Sequence, residues 1–156
     1  MKTTKVLFVC LGNICRSPAA EGVMKKLIEG LPFEVASAGT AGYHVGDLPD
    51  SRMRVLAGKR GYHLVSRARQ FDPAQDFEKY DLIVAMDGSN LHDLKTMDRR
   101  HQYGHKLSLM TDYCRVRNEK EVPDPYYGGP EGFDRVLDIL EDACAGLLHE
   151  LQNAKS

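Results

Sequence analysis

Short apolar runs alternate along the chain with longer stretches in which apolar residues recur at helical spacing. The apolar runs have the length expected for strands buried in a sheet, and they predict strands over residues 5–9, 33–38, 81–86 and 106–110. The longer stretches predict helices over residues 18–29, 50–60 and 89–97, and a last helix that opens after Pro130. This order is typical of an α/β fold, in which helices cover both faces of a four-stranded parallel sheet and make three layers.

Composition narrows the class of protein. A length of 156 residues with 42% hydrophobic residues suffices for one sizeable core, so we predict a single domain over residues 1–156. A net charge of −1 argues against a nucleic-acid-binding surface, and the basic residues 99–101 are typical of a solvated face. The apolar runs are far shorter than a membrane span, and residues 1–5 lead directly into the first strand. We therefore expect a cytoplasmic protein that binds neither nucleic acid nor membranes.

The connection between the first strand and the first helix carries the strongest chemical signal. It contains Cys10, the turn-forming residues Gly12 and Asn13, and Arg16. Because the loop lies between the carboxyl end of a strand and the start of a helix, its backbone N–H groups and the helix dipole favour an anion. The same field favours the thiolate form of Cys10. The loop therefore predicts a pocket for a tetrahedral dianion beside a nucleophile.

The residues at the start of the helix extend this prediction. The planar guanidinium of Arg16 matches two oxygens of a phosphoryl group. Ser17 is predicted to cap the helix, with Pro18 in its first position, and the Ser17 hydroxyl is also placed to donate to the Cys10 sulfur. Taken alone, Cys10 is equally well a small buried apolar residue at the end of a strand. The strand–loop–helix context favours the nucleophile.

Residues 10–17 resemble the phosphate-binding loop of the low-molecular-weight protein tyrosine phosphatases. The resemblance continues in family order over nearly the whole chain, through residues 37–40, 68–70, 86–91 and 124–128. It implies a flavodoxin-like fold and the hydrolysis of phosphotyrosine and small aryl phosphates. Under this resemblance Cys10 is the nucleophile that forms a phosphocysteine intermediate, and Arg16 binds the phosphoryl group.

The resemblance also implies an acid. The connection over residues 111–129 is too long for a simple turn, and Pro123 and Pro125 restrict Asp124 within it. Local sequence alone favours an Asp-Pro turn with exposed tyrosines. The resemblance instead implies that Asp124 is the general acid for the leaving group and then the base for water. Because Arg16 and the loop amides balance the phosphoryl charge, we expect no metal and no cofactor.

A wider set of residues is predicted to bind the substrate. Tyr43 stands where the family carries an aromatic residue, and the resemblance implies an aromatic rim with Tyr126 and Tyr127 opposite it. The alternative for Tyr43 is a place in the core. The substrate-binding prediction as a whole covers Leu11, Gly12, Asn13, Ile14, Cys15, Arg16, Ser17, Tyr43, Tyr126 and Tyr127.

A second set is predicted to hold the loop in shape. It comprises Asn13, Ser17 and Ser37, with Arg69 and Asp87 as further candidates. For Asp87, a role as the carboxylate at a helix N-terminus is an equal alternative. The family often has a histidine beneath the loop at the position of Ser66. The loop of this chain can therefore differ in rigidity from the loop of other family members.

The remaining predictions concern regulation and partners. Cys15 lies in the same loop as Cys10 and is expected to form a reversible disulfide with it under oxidation, the alternative being simple packing. The expected partners are a tyrosine-phosphorylated protein and a tyrosine kinase, and the expected state is a monomer or weak homodimer.

Three other functions compete with this one. A protein-arginine phosphatase shares the fold, but the resemblance implies a threonine there in place of Ile14. A thioredoxin-coupled arsenate reductase needs a cysteine pair near residues 80–90, where the chain has no cysteine. A non-catalytic phosphate-binding redox switch has no use for an acid at Asp124.

Overall fold

The computed structural model describes residues 2–154. The strands are β1 (Thr4–Cys10), β2 (Phe33–Gly39), β3 (Leu82–Ala85) and β4 (Leu107–Leu109). The helices are α1 (Arg16–Leu27), α2 (Ser51–Lys59), α3 (Asp76–Lys79), α4 (Gly88–Met97) and α5 (Pro130–Asn153), with short 3-10 helices at Gly104–Lys106 and Met110–Tyr113. Within the described part of the chain, every helix is too short or too polar to cross a membrane.

All neighbouring strands run parallel, in the order β2-β1-β3-β4. Strand β1 is central, because it pairs along its whole length with β2 and over residues 6–9 with β3. This is the flavodoxin-like order, and ligand sites in such sheets lie at the carboxyl ends of the strands where the order reverses. In this sheet that point is the end of β1, at Cys10.

Alternate residues of β1 face two separate hydrophobic clusters, one on each side of the sheet. Phe8 belongs to the cluster formed with α1, α2 and α5. Leu7 and Val9 belong to the opposite cluster, which includes Phe77 of α3 and Leu94 of α4. Burial on both faces explains why β1 is an almost continuous apolar run. The predicted three-layer α/β fold is confirmed.

Some element boundaries differ from the predictions. Helix α1 begins at Arg16, and Cys15 occupies the N-cap position without a side-chain hydrogen bond, so the prediction of Ser17 as the cap and Pro18 as the first residue was wrong. The loop enters the helical conformation before Ser17, which leaves that hydroxyl inside the first turn. Strand β4 ends at Leu109 because Met110 begins a 3-10 helix. Helix α3 was not predicted, since four residues are too few to show a period.

The long connection between β4 and α5 is attached to its neighbours at two points. The Asp142 carboxylate on α5 accepts hydrogen bonds of 2.8 to 3.3 Å from the backbone N–H groups of residues 115–117. Further along, the Val122 N–H donates to the Met86 carbonyl at 2.9 Å. The segment that carries Asp124 is therefore held against α5 and the end of β3.

Candidate active site

The loop after β1 is held against the end of β2. Cys10, the last residue of β1, is 3% exposed and pairs with Gly39. The carbonyls of Cys10 and Leu11 accept hydrogen bonds of 2.9 Å from the N–H groups of Thr40 and Ala41. A Cβ atom on Gly39 would lie 2.7 Å from the Leu11 carbonyl oxygen. This close approach therefore requires glycine at position 39.

Asn13 supplies the sharp turn of the loop. Its φ of 59° lies in the left-handed region, which asparagine tolerates better than most residues, so the turn falls on Asn13 rather than Gly12. The Asn13 amide group donates to the Ser17 hydroxyl at 2.8 Å, and its Oδ1 accepts from the Arg69 N–H at 3.0 Å. Arg69 thus supports the loop through its backbone, while its side chain pairs with Asp76 at 2.9 Å.

The Ser17 hydroxyl lies next to the candidate nucleophile. Its oxygen is 3.0 Å from the Cys10 sulfur and 3.5 Å from the Ala38 carbonyl oxygen. The Asn13 amide group donates to this oxygen, so the Ser17 proton is left for the Ala38 carbonyl at 3.5 Å or, when Cys10 is a thiolate, for the sulfur at 3.0 Å. Ser17 therefore contacts the sulfur of Cys10 as predicted, although it does not cap the helix.

The Arg16 guanidinium is buried among acceptors. Its Nη1 donates to the Asp87 carboxylate at 2.6 Å and to the Val122 carbonyl at 3.0 Å, and its Nη2 lies 3.6 Å from the Asp124 carboxylate. Burial alone would lower the pKa of Arg16. The Cys10 sulfur and the two carboxylates outweigh burial and raise that pKa above its ordinary value. Arg16 is therefore a fixed cation beside the sulfur.

Asp87 both supports the loop and caps a helix, the two alternatives that the sequence left open. Its Oδ1 caps α4 by accepting from the Asn90 N–H at 2.8 Å, and its Oδ2 accepts from Arg16. One carboxylate thus joins the start of α4 to the guanidinium of the loop.

A cavity of about 140 Å³ joins the loop to the predicted acid. The side chain of Asp124 is 43% exposed at its edge, and its Oδ1 accepts from the Tyr126 N–H at 3.1 Å. The residues lining the cavity are Cys10, Leu11, Gly12, Ile14, Cys15, Arg16, Tyr43, His44, Asp124, Tyr126 and Tyr127. Of the predicted substrate-binding set, Asn13 and Ser17 lie outside this lining, where they brace the loop.

Aromatic residues form the rim of the cavity. Tyr43 is 77% exposed and Tyr127 is 95% exposed, so the core alternative for Tyr43 was wrong. The rings of Tyr126 and Tyr127 meet edge to face, with 4.9 Å between centroids. His44 also lines the cavity, with its ring 6.1 Å from that of Tyr126. No histidine was predicted in the site. The sequence could have indicated His44 only because it directly follows Tyr43, which was predicted to lie at the rim.

Ser37 supports helix α1 rather than contacting the loop. Its hydroxyl donates to Oε1 of the buried Glu21 at 2.6 Å, and the Ser66 hydroxyl donates to the same oxygen at 3.0 Å. Lys25 pairs with the other oxygen of Glu21 at 2.7 Å. The predicted support from Ser37 is therefore indirect. Glu21 was not predicted, because a single acidic residue on a helix gives no signal of burial.

The two cysteines of the loop differ in their surroundings. Burial, together with the negative charges of Asp50, Cys10 and Asp124, raises the pKa of Cys15 well above its ordinary value. Cys15 therefore stays a thiol. Cys10 instead has the Ser17 hydroxyl at its sulfur, so the geometry favours Cys10 as the nucleophile.

The cavity thus combines a cysteine sulfur, a fixed guanidinium and an exposed carboxyl group. Such a set can bind a tetrahedral oxyanion, attack it through sulfur and protonate a leaving oxygen. The sequence model of one family, described as "Low molecular weight phosphotyrosine protein phosphatase", matches residues 5–156. The chain belongs to this family. The predicted family, its enzyme class of protein tyrosine phosphatases, and the flavodoxin-like fold are confirmed.

Relatives from distant organisms align with nearly the whole of the phosphatase chain. A protein of Synechocystis sp. whose name assigns it to the low molecular weight protein-tyrosine-phosphatases is 54% identical over 151 residues, covering 94% of this chain and 96% of its own. The human low molecular weight phosphotyrosine protein phosphatase is 37% identical over 153 residues, covering 95% and 96%. The crystal structure of a protein tyrosine phosphatase from Entamoeba histolytica, with Hepes in its active site, superposes with a TM-score of 0.92 at 50% identity, covering 99% and 100%.

Proposed function

We propose that the enzyme hydrolyses phosphotyrosine in proteins, and small aryl phosphates, through a phosphocysteine on Cys10. The observation that carries this proposal is that Cys10, Arg16 and Asp124 line one cavity at the end of β1. The 3.6 Å between Arg16 Nη2 and Asp124 Oδ2 supports the proposal, because a carboxyl group at this distance can reach a phosphoryl group held by the guanidinium.

In the first step the loop amides and Arg16 bind the non-bridging oxygens of the phosphate ester. The Cys10 thiolate attacks phosphorus as the bond to the tyrosine oxygen breaks, and Asp124 gives its proton to that oxygen. The products of this step are neutral tyrosine and a phosphocysteine. Arg16 stabilises the charge that is spread over the phosphoryl oxygens in the transition state.

In the second step water replaces the sulfur. The Asp124 carboxylate takes a proton from water, the water oxygen attacks phosphorus, and the bond from phosphorus to sulfur breaks. The Ser17 hydroxyl, 3.0 Å from the sulfur, donates to the thiolate as it departs. Phosphate is released, and Asp124 is again protonated for the next substrate.

The shape of the cavity supports aryl phosphates as substrates. The exposed rings of Tyr43 and Tyr127 stand above the buried loop, so a phosphotyrosine ring can pack between them while its phosphate reaches Cys10. The shorter side chain of phosphoserine would not reach. The Entamoeba histolytica relative holds Hepes in its active site, and Hepes carries a sulfonate, which is a tetrahedral oxyanion like phosphate.

Hydrolysis of para-nitrophenyl phosphate and of a phosphotyrosine peptide tests the proposal. Wild type is expected to be active with and without EDTA, and Cys10→Ser inactive. Cys114→Ser is the matched control, since Cys114 lies outside the cavity and is expected to keep full activity. An inactive reduced wild type would refute the proposal. Hydrolysis that survives in Cys10→Ser would refute the nucleophile.

The competing functions gain no support from the comparisons. A phosphoarginine peptide in the same assay distinguishes a tyrosine phosphatase from a protein-arginine phosphatase. We expect the present protein to hydrolyse the phosphotyrosine peptide faster. Binding of phosphate without turnover would favour a phosphate-binding redox switch. The single domain, the cytoplasmic location, the tyrosine kinase partner, the monomeric or weakly dimeric state and the disulfide of Cys10 with Cys15 stay predictions.

A further inference from the structure

The start of α2 contacts both halves of the active site. The N–H of Asp50, the cap residue of α2, donates to the Ile14 carbonyl of the phosphate-binding loop at 2.8 Å. Nη2 of Arg52 donates to the Tyr126 carbonyl at 2.9 Å. The Tyr126 N–H in turn donates to the Asp124 carboxylate at 3.1 Å. A series of contacts through Asp50 and Arg52 therefore joins the loop of the nucleophile to the acid.

The Arg52 guanidinium is itself fixed in place. The Asp50 carboxylate accepts from Nε at 3.2 Å and from Nη2 at 2.9 Å, and the same carboxylate is held by the N–H groups of Arg52 and Met53. Cζ of Arg52 lies 4.7 Å from the ring centroid of Phe133 and 5.5 Å from that of Tyr126, both within cation–π range. A donor fixed in this way positions the Tyr126 backbone instead of following it.

The Arg52 contact completes a pair of attachments around the acid. On one side of Asp124, the Val122 N–H bonds to the Met86 carbonyl. On the other side, the Tyr126 carbonyl bonds to Arg52. Because the Asp124 side chain is 43% exposed, its place over the cavity depends in part on these backbone attachments.

We propose that Arg52 is a positioning residue for Asp124, which sets the distance between the carboxyl group and the leaving oxygen above Cys10. This inference rests on the acid role proposed for Asp124. A misplacement of about 1 Å can slow a step roughly 10²-fold, and only the step that needs the proton is affected. The loss of Arg52 should therefore slow the expulsion of basic leaving groups more than that of acidic ones.

The experiment compares kcat/KM for para-nitrophenyl phosphate, which has an acidic leaving group, with kcat/KM for phenyl phosphate, which has a basic one. This parameter includes the step that breaks the bond to the leaving oxygen. Arg52→Met keeps an apolar stem but removes the donor, and we expect its loss to be about tenfold larger on phenyl phosphate. Arg52→Lys should lie between Arg52→Met and wild type, since it keeps a donor without the planar fork.

Arg54→Met is the matched control, because it removes the same charge from the same helix. The Arg54 side chain donates to the Pro49 carbonyl and not to the segment of the acid, so the ratio of the two kcat/KM values should equal that of wild type. A uniform loss on both substrates in Arg52→Met, with the ratio unchanged, would mean a merely structural role and would overturn the inference. If Arg52→Met fails to fold, the ratio in Arg52→Lys decides in the same way.

Asp124→Ala separates this inference from the proposed function. A larger loss on phenyl phosphate in Asp124→Ala, with a wild-type ratio in Arg52→Met, would refute the positioning role and leave the acid in place. A wild-type ratio in Asp124→Ala would refute the acid role itself. In the double variant, Arg52→Met should not change the ratio beyond the value in Asp124→Ala, because its effect requires the carboxyl group.

Discussion

The hydroxyl oxygen of Ser17 lies 3.0 Å from the sulfur of Cys10, inside the first turn of the helix that follows the loop. Under the proposed mechanism, this hydroxyl would donate a hydrogen bond to the sulfur when the thiolate leaves the phosphorus. Ser17 thus contacts the sulfur and does not cap the helix as its position in the sequence suggested.

Removal of this donor should slow turnover. We expect Ser17→Ala to lower kcat about 10- to 100-fold, because a hydrogen bond to a charged acceptor contributes about 1.5–3 kcal/mol. Steady-state and burst kinetics with para-nitrophenyl phosphate measure the effect. Ser66→Ala removes a hydroxyl that bonds to Glu21 instead of the sulfur, and it should keep near wild-type turnover. An unchanged kcat in Ser17→Ala would contradict the role.

Neutralising Asp87 should weaken the hold on Arg16. Asp87→Asn keeps an acceptor for the Asn90 N–H but removes the charge that faces the guanidinium, so we expect it to lower the free energy of unfolding by about 1–3 kcal/mol. Inorganic phosphate should restore stability more in this variant than in wild type, because the anion gives Arg16 a new partner. Urea unfolding with and without phosphate measures both effects. Equal stabilisation of the two proteins by phosphate would contradict the prediction.

A methyl group at Gly39 should displace the loop. The added Cβ would meet the Leu11 carbonyl oxygen at 2.7 Å, and backbone cannot move aside as a flexible side chain can. We expect Gly39→Ala to cost about 1–3 kcal/mol of stability and to lower kcat/KM. Gly58→Ala is the control: it lies in α2 with open space around it and should stabilise by about 0.5–1 kcal/mol. Thermal melts compare the stability of the two variants, and assays with an aryl phosphate compare their kcat/KM.

The hydrogen bonds between the Asp142 carboxylate and the connection from β4 to α5 should weaken in acid. Burial opposes the charge of Asp142, but the backbone N–H groups of residues 115–117 outweigh it and hold the pKa of this carboxyl below its ordinary value of 3.8. A group with a depressed folded pKa stabilises the fold above its unfolded pKa, and this contribution is lost as the pH falls through the folded value.

Urea unfolding at neutral pH and at about pH 3 tests this attachment. We expect Asp142→Asn to be less stable than wild type at neutral pH, and the gap between the two proteins to narrow in acid. If the difference in free energy of unfolding is the same at both pH values, the ionisation of Asp142 does not contribute to stability.

Local sequence was sufficient for the sheet and for much of the loop. The apolar run of β1 and the tight turn depend on residues close together in the chain; the run is as predicted, and the turn predicted over Gly12 and Asn13 falls on Asn13. The start of α1 was missed because capping depends on where the first N–H groups point, and residue type does not determine that direction.

The contacts that complete the site were beyond the reach of sequence. Arg52 and Tyr126 meet only after α2 and the long connection have packed, and the burial of Glu21 depends on Ser37 and Ser66 from separate segments. Such pairings lie far apart in the chain and leave no local pattern. The tertiary fold alone brings them together.

Cys10 and Arg16 are buried, while the rim of the cavity above them is open to solvent. The two buried residues lie at the packed end of the sheet, whereas Tyr43 and Tyr127 expose most of their side chains. Under the proposed function, substitutions at the rim would therefore change which phosphoprotein is admitted at little cost to folding, whereas substitutions at the buried residues would disturb both catalysis and folding. If these roles hold, substrate choice and bond-breaking depend on different residues, and specificity can evolve while the buried loop stays unchanged.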